Sequence, residues 1–181
     1  RVGEEGVTTR TVSFTVRGRP RPERVGEEGV TTRTVSFTVR GLPVAQGSAR
    51  AFVAGKRAYV ATDANNPRTP LGAWRTAIAT EARAAMGDAP LLGGPLSVDV
   101  FFGMPRPRSH YLPANRRRPT PELRNDAPLA HSGTPDLDKL SRAMLDALTS
   151  VGWRDDGQVA ELRARKGYMD RPGASVLVAP L

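Results

Sequence analysis

The sequence predicts an α+β fold, a single mixed sheet of about four to six strands with two main helices packed on one face. Three observations carry that expectation. Several short segments alternate polar and apolar residues, two longer runs repeat their apolar residues at helical spacing, and the elements come in the order β, β-hairpin, α, β, loop, α, β, β. No stretch is apolar enough, over about 18 residues, to suggest a membrane span.

The chain opens on a repeat. RVGEEGVTTRTVSFTVRG fills residues 1–18 and returns unchanged at 24–41, joined by RPRPE at 19–23. Solenoid repeats drift in sequence and need about three copies to bury a core, so two identical copies point to a recent duplication or an artefact. The second copy runs directly into the rest of the chain. Residues 24–181 are therefore expected to form the domain, and 1–23 an appended segment able to add a strand or swap between subunits. In the second copy Val35, Phe37 and Val39 alternate with Thr34, Ser36 and Thr38, which predicts a half-buried strand.

SARAFVAGKRAYVAT (48–62) predicts a hairpin turning at Ala54-Gly55. In 65–88 the spacing of Leu71, Trp74, Ile78, Ala82 and Ala85 predicts a helix that stops at Gly87. PLSVDVFFGM (95–104) reads as a buried strand, with Leu96, Val98, Val100 and Phe102 on one face. Residues 105–135 are rich in proline and arginine and lack an apolar period. Loops beyond about 12–15 residues inside a compact domain are usually functional or disordered. A second helix is expected from Asp136 to about Ser150, on the stripe Leu137, Leu140, Met144, Leu145 and Leu148. After a turn at Gly152, strands are expected over 158–169 and 174–180.

Composition narrows the chemistry. There are no cysteines and two histidines, so thiolate zinc sites and a cysteine nucleophile are excluded. A metal site here would have to use carboxylate oxygens, which suit Mg²⁺ or Mn²⁺. The net charge is +9, and of the basic residues only Lys56, Lys139 and Lys166 are lysines. Guanidinium groups fork onto phosphate oxygens, so an arginine-dominated chain suits a nucleic-acid partner. Between Pro105 and Arg118 the loop carries Arg106, Arg108, Arg116, Arg117 and Arg118 with no acid, and His110 and Tyr111 offer a stacking surface. No basic amphipathic helix suggests membrane binding. The polar N-terminus lacks the pattern of a secretory signal, so a cytoplasmic setting is expected.

Asp136, Asp138, Asp155 and Asp156 flank the second helix. Each has an ordinary explanation: Asp136 as N-cap, Asp138 as helix-dipole partner and i,i+4 mate of Arg142, Asp155 as turn former. As a set they suggest a divalent site, because neighbouring carboxylates repel one another unless a cation neutralises them. Side chains two apart on a regular helix diverge by about 200°. Asp136 and Asp138 can therefore converge only if Asp136 lies at or before the cap, and Thr134-Pro135 favours that break.

PDLDKLSRAMLDALTSVGWRDDGQV (135–159) closely resembles the core motif of the RusA family of Holliday-junction resolvases, in which D-x-D starts a helix ending in D-A-L and D-D-x-Q-V comes after a turn. MPRPRSHY (104–111) and GLPVAQGSARAF (41–52) resemble upstream family segments. The resemblance spans roughly 34–180. It implies a homodimeric, Mg²⁺-dependent endonuclease that nicks four-way DNA junctions symmetrically. The family's metal-binding aspartates fall on Asp136, Asp138 and Asp156, with Asp155 beside them. Its helix lysine falls on Arg142, which can neutralise phosphate but cannot act as a titrating acid; Lys139 and Lys166 are candidates for that role and for DNA contact. Two other readings compete, a non-catalytic DNA-binding module and a metal nuclease acting on flaps, forks or RNA.

Overall fold

The computed structural model describes residues 33–47, 50–54, 57–61, 66–113, 116 and 119–181. Most of the duplicated segment, the Gly55 turn and Arg117–Arg118 lie outside the described residues. The elements are β1 (Val35–Arg40), β2 (Arg50–Ala54), β3 (Arg57–Ala61), α1 (Pro70–Met86), β4 (Leu96–Met104), α2 (Leu137–Leu148), β5 (Val159–Tyr168) and β6 (Gly173–Pro180). The expected class holds: one mixed, open sheet with two helices.

The sheet has the order β1-β6-β4-β5. β6 runs antiparallel to β1 and β4, and β5 runs parallel to β4. The hairpin β2-β3 forms as expected but is a separate two-stranded ladder. A parallel pair needs a crossover connection, and here the long loop and α2 supply it between β4 and β5. That topology sets α2 beside β5.

Strand period sorts the two faces. Leu96, Val98, Val100 and Phe102 of β4 are wholly buried, matching the sequence pattern, and meet Val176 and Val178 of β6 on the same face. Val35 and Val39 of β1 extend this face, and Trp74, Ile78, Leu140 and Met144 from the helices complete one cluster. On the outer face Ser97, Asp99 and Phe101 are half-buried, and Arg165 pairs with Asp99 at 2.7 Å.

α1 starts at Thr69, whose Oγ1 accepts the Gly72 amide at 3.1 Å, with Pro70 in the first turn. A Cβ on Gly72 would collide with the Asn66 carbonyl, so the residue must be glycine. The helix stops at Gly87, which has φ 57°, and Arg33 donates to the last carbonyls of Ala85 (2.9 Å) and Met86 (3.2 Å). One core position differs from the sequence expectation. Ala85 is half-buried, whereas Met86 is buried because it continues the i+4 row of Ile78 and Ala82. Among the described residues no helix is long and apolar enough to cross a membrane.

Candidate active site

The start of α2 carries two of the expected carboxylates. Asp136 is the N-cap, with extended backbone (φ −68°, ψ 141°), although its side chain makes no capping bond. Its carboxylate accepts from Lys139 Nζ at 2.6 Å. That hydrogen bond and the lysine charge, with a smaller contribution from Lys166, hold the Asp136 carboxyl below the usual carboxylate range. Lys139 is raised in turn, chiefly by the bond to Asp136.

Asp138 lies in the first turn of α2 and points elsewhere. It lines a groove between α2 and β5 together with Arg142 and Asp146 from the next two turns, Asp156 from the turn before β5, and the apolar side chains of Leu145 and Leu162. Arg142 is exposed, and it makes no ion pair with Asp138 and has no other polar partner among the described residues. Asp146 is partly buried and faces Arg75 of α1 at 3.8 Å.

The second acidic pair divides its labour. Asp155 caps a short 3-10 turn, Asp156–Gln158, its Oδ1 accepting the Gly157 amide at 2.7 Å. Gln158 completes the capping box, its Oε1 accepting the amides of Arg154 (3.0 Å) and Asp155 (3.2 Å). The Gln158 Nε2 donates to the carbonyls of Leu92 (3.2 Å) and Gly94 (3.1 Å). Asp156 is thereby left exposed at the groove, while Asp155 faces the neighbouring surface beside Gly94.

The structure thus brings Asp138, Asp156 and Arg142 together, and leaves Asp136 with Lys139 and Asp155 with its turn. Among the described residues no three carboxylate or histidine groups stand close enough, as placed, to hold one metal ion. The donor chemistry nevertheless fits a hard divalent cation. Every ligand at hand is a carboxylate oxygen, and Asp136 already balances a cation, the Lys139 ammonium.

The basic residues part company. Arg108 and Arg116 are exposed. Arg106 turns inward: its guanidinium lies 4.2 Å from the Tyr168 ring centroid and donates to the Pro128 carbonyl at 2.8 Å. His110 and His131 meet the same ring edge-on, at 5.3 and 5.1 Å. The stacking surface expected of His110 is thus occupied from within by Tyr168. Lys166 is half-buried, donating to the carbonyls of Gly133 (2.5 Å) and Pro135 (2.7 Å).

Asp146 and Gln158 were not among the residues singled out from sequence. The i, i+4, i+8 spacing of Asp138, Arg142 and Asp146 marks one helix face and could have revealed the first. The Asp155-x-x-Gln158 spacing of the capping box could have revealed the second, whereas the Nε2 bonds of Gln158 to Leu92 and Gly94 join segments far apart in sequence and leave no local trace.

Comparison with known proteins points the same way. The chain is 26% identical over 136 residues to the uncharacterized protein YqaN of Bacillus subtilis (strain 168), an alignment covering 75% of this chain and 89% of that protein. The model of the endodeoxyribonuclease RusA family matches residues 41–179, spanning both acidic pairs, α2 and the whole of β4, β5 and nearly all of β6. With that match over most of its length, the chain belongs to the RusA family of endodeoxyribonucleases.

Proposed function

We propose that this protein is a Mg²⁺-dependent endonuclease that resolves four-way DNA junctions by paired, symmetric nicks as a homodimer. The observation that carries the proposal is the groove shared by Asp138, Asp156 and Arg142 in a chain of this family. Asp136, Asp138 and Asp156 would hold the metal, Mg²⁺ with Mn²⁺ as substitute, and Asp155 stands beside them. The ion would supply Lewis-acid chemistry for phosphodiester hydrolysis.

The chain's own residues then have distinct tasks. Arg142, free of any internal partner among the described residues, forks onto the scissile phosphate and offsets the charge that grows there. It stays protonated throughout, so the leaving oxygen takes its proton from water or from another group. Lys139 neutralises the Asp136 carboxylate. Arg108 and Arg116, with Arg117 and Arg118, grip the arms through phosphates, which position DNA without specifying sequence.

The test is a substrate panel of four-way junctions, flaps, forks, linear duplex and RNA, with and without Mg²⁺. The expected result is metal-dependent paired nicking of the four-way junction in preference to the others. Asp138→Asn and Asp156→Asn should each lower cleavage by about a hundredfold or more while leaving binding intact. Undiminished cleavage by Asp138→Asn would refute the assignment, and equal cleavage of flaps or RNA would refute the substrate.

A further inference from the structure

Two side chains at opposite ends of one strand grip the two segments that carry the acids. Gln158 stands directly before β5, and Lys166 lies near its end. The Gln158 amide has its full complement of partners: Oε1 accepts from Arg154 and Asp155, and Nε2 donates to Leu92 and Gly94. It ties the turn bearing Asp156 to the segment that feeds β4. The Lys166 ammonium bridges the carbonyls of Gly133 and Pro135, in the stretch of chain just before Asp136.

Neighbours of Lys166 reinforce the same tether. Gly167 pairs with Ala130 in an isolated antiparallel bridge, and Tyr168 packs against His131. The far end of the long loop is therefore tied to β5 at three consecutive residues. β5 is in turn fixed by nine-residue pairing along β4, from Leu96↔Val159 to Met104↔Tyr168. A rigid strand with a clamp at each end acts as a ruler between the two acidic segments.

We infer that Lys166 and Gln158 are positioning residues, fixing the backbone segments that bear Asp136–Asp138 and Asp156 relative to β5, so that a cation drawing those carboxylates together would meet two anchored segments. This rests on the metal-nuclease reading of the groove. Neither residue needs to touch DNA or metal for this role. Both act through backbone, because the groups they hold are carbonyls and amides of the segments that bear the acids. Two of the three Lys166 N–H donors are taken by carbonyls, whereas Arg142 has no polar partner among the described residues.

The experiment compares the full chain with Lys166→Met, Lys166→Arg and Gln158→Leu, using Arg163→Gln on β5 as control. Amide hydrogen exchange without metal is measured first, with the β4 amides as an internal gauge of folding. Lys166→Met should speed exchange over 133–140, and Gln158→Leu over 154–158, with β4 protection kept. Lys166→Arg should restore part of the protection. In junction cleavage the half-saturating Mg²⁺ concentration should rise about tenfold for the Met and Leu variants, with metal-free junction binding unchanged.

Unchanged exchange at 133–140 and 154–158 would overturn the inference. So would a Lys166→Met variant whose metal response is normal but whose junction binding weakens with a shallower salt dependence, since that marks a direct phosphate contact. If the unmodified protein cleaves no branched DNA, the proposed function fails, and the exchange measurement still decides whether the clamps exist.

Discussion

At the scale of single residues, Asp136 and Lys139 pose the sharpest electrostatic question. Their bond lowers the pKa of the carboxyl and raises that of the ammonium. For a depressed carboxylate, stabilisation is present above its unfolded value, about pH 4, and fades as pH falls through the lower folded value. For the raised lysine the same pair is intact below about pH 10.4 and weakens as pH climbs through the higher folded value. Between those limits the pair is insensitive to pH, so any neutral-range change in activity must come from elsewhere. Tracking the Asp136 carboxyl carbon by NMR should give a midpoint below that of an ordinary aspartate. Lys139→Met should move that midpoint upward, because it removes both the hydrogen bond and the charge. Both side chains are exposed, so little change in folding stability should accompany the shift.

At the scale of elements, α2 is where fold and chemistry meet. Its buried stripe, Leu140, Met144 and Leu148, anchors the helix in the core while Asp138, Arg142 and Asp146 face the groove. Leu140→Ala should destabilise the protein by about 2–5 kcal/mol, read from urea unfolding, because the side chain is wholly buried and its loss leaves a cavity. This stripe was legible in the sequence because amphipathic spacing is a local signal. So were β4, whose alternating residues are all buried, and the stop of α1 at Gly87. What sequence did not disclose arises from contacts between distant segments. The inward turn of Arg106 depends on Tyr168, the binding of Lys166 on Gly133 and Pro135, and the turn at Asp156 on Leu92 and Gly94. Charge alone made Arg106 and Lys166 resemble their neighbours. Only the segments packed against them explain why they turn inward.

At the scale of the whole molecule, the net charge of +9 is set against a groove lined by acids. The sheet is open, with β1 and β5 as its edge strands among the described residues, and β5 carries an isolated bridge on its outer side, from Gly167 to Ala130. β5 bears Glu161, Arg163, Arg165 and Lys166, and such charges discourage edge-to-edge pairing with a second sheet. On the proposed function, DNA approaches a surface where positive charge predominates overall but carboxylates line the groove. Without metal, attraction to phosphate has to come from exposed arginines such as Arg108 and Arg116, since Arg106 is engaged with Tyr168 and Pro128. Each phosphate contact contributes roughly 0.9 to the slope of log K against log salt. Junction binding in chelator should accordingly weaken steeply with salt. Arg108→Gln and Arg116→Gln should each flatten the slope by about one unit, whereas Arg106→Gln should leave the slope unchanged and instead loosen the loop. Binding isotherms of one junction at several salt concentrations check this. A flattened slope for Arg106→Gln with unaltered slopes for the other two would show that the loop turns a different set of arginines toward DNA.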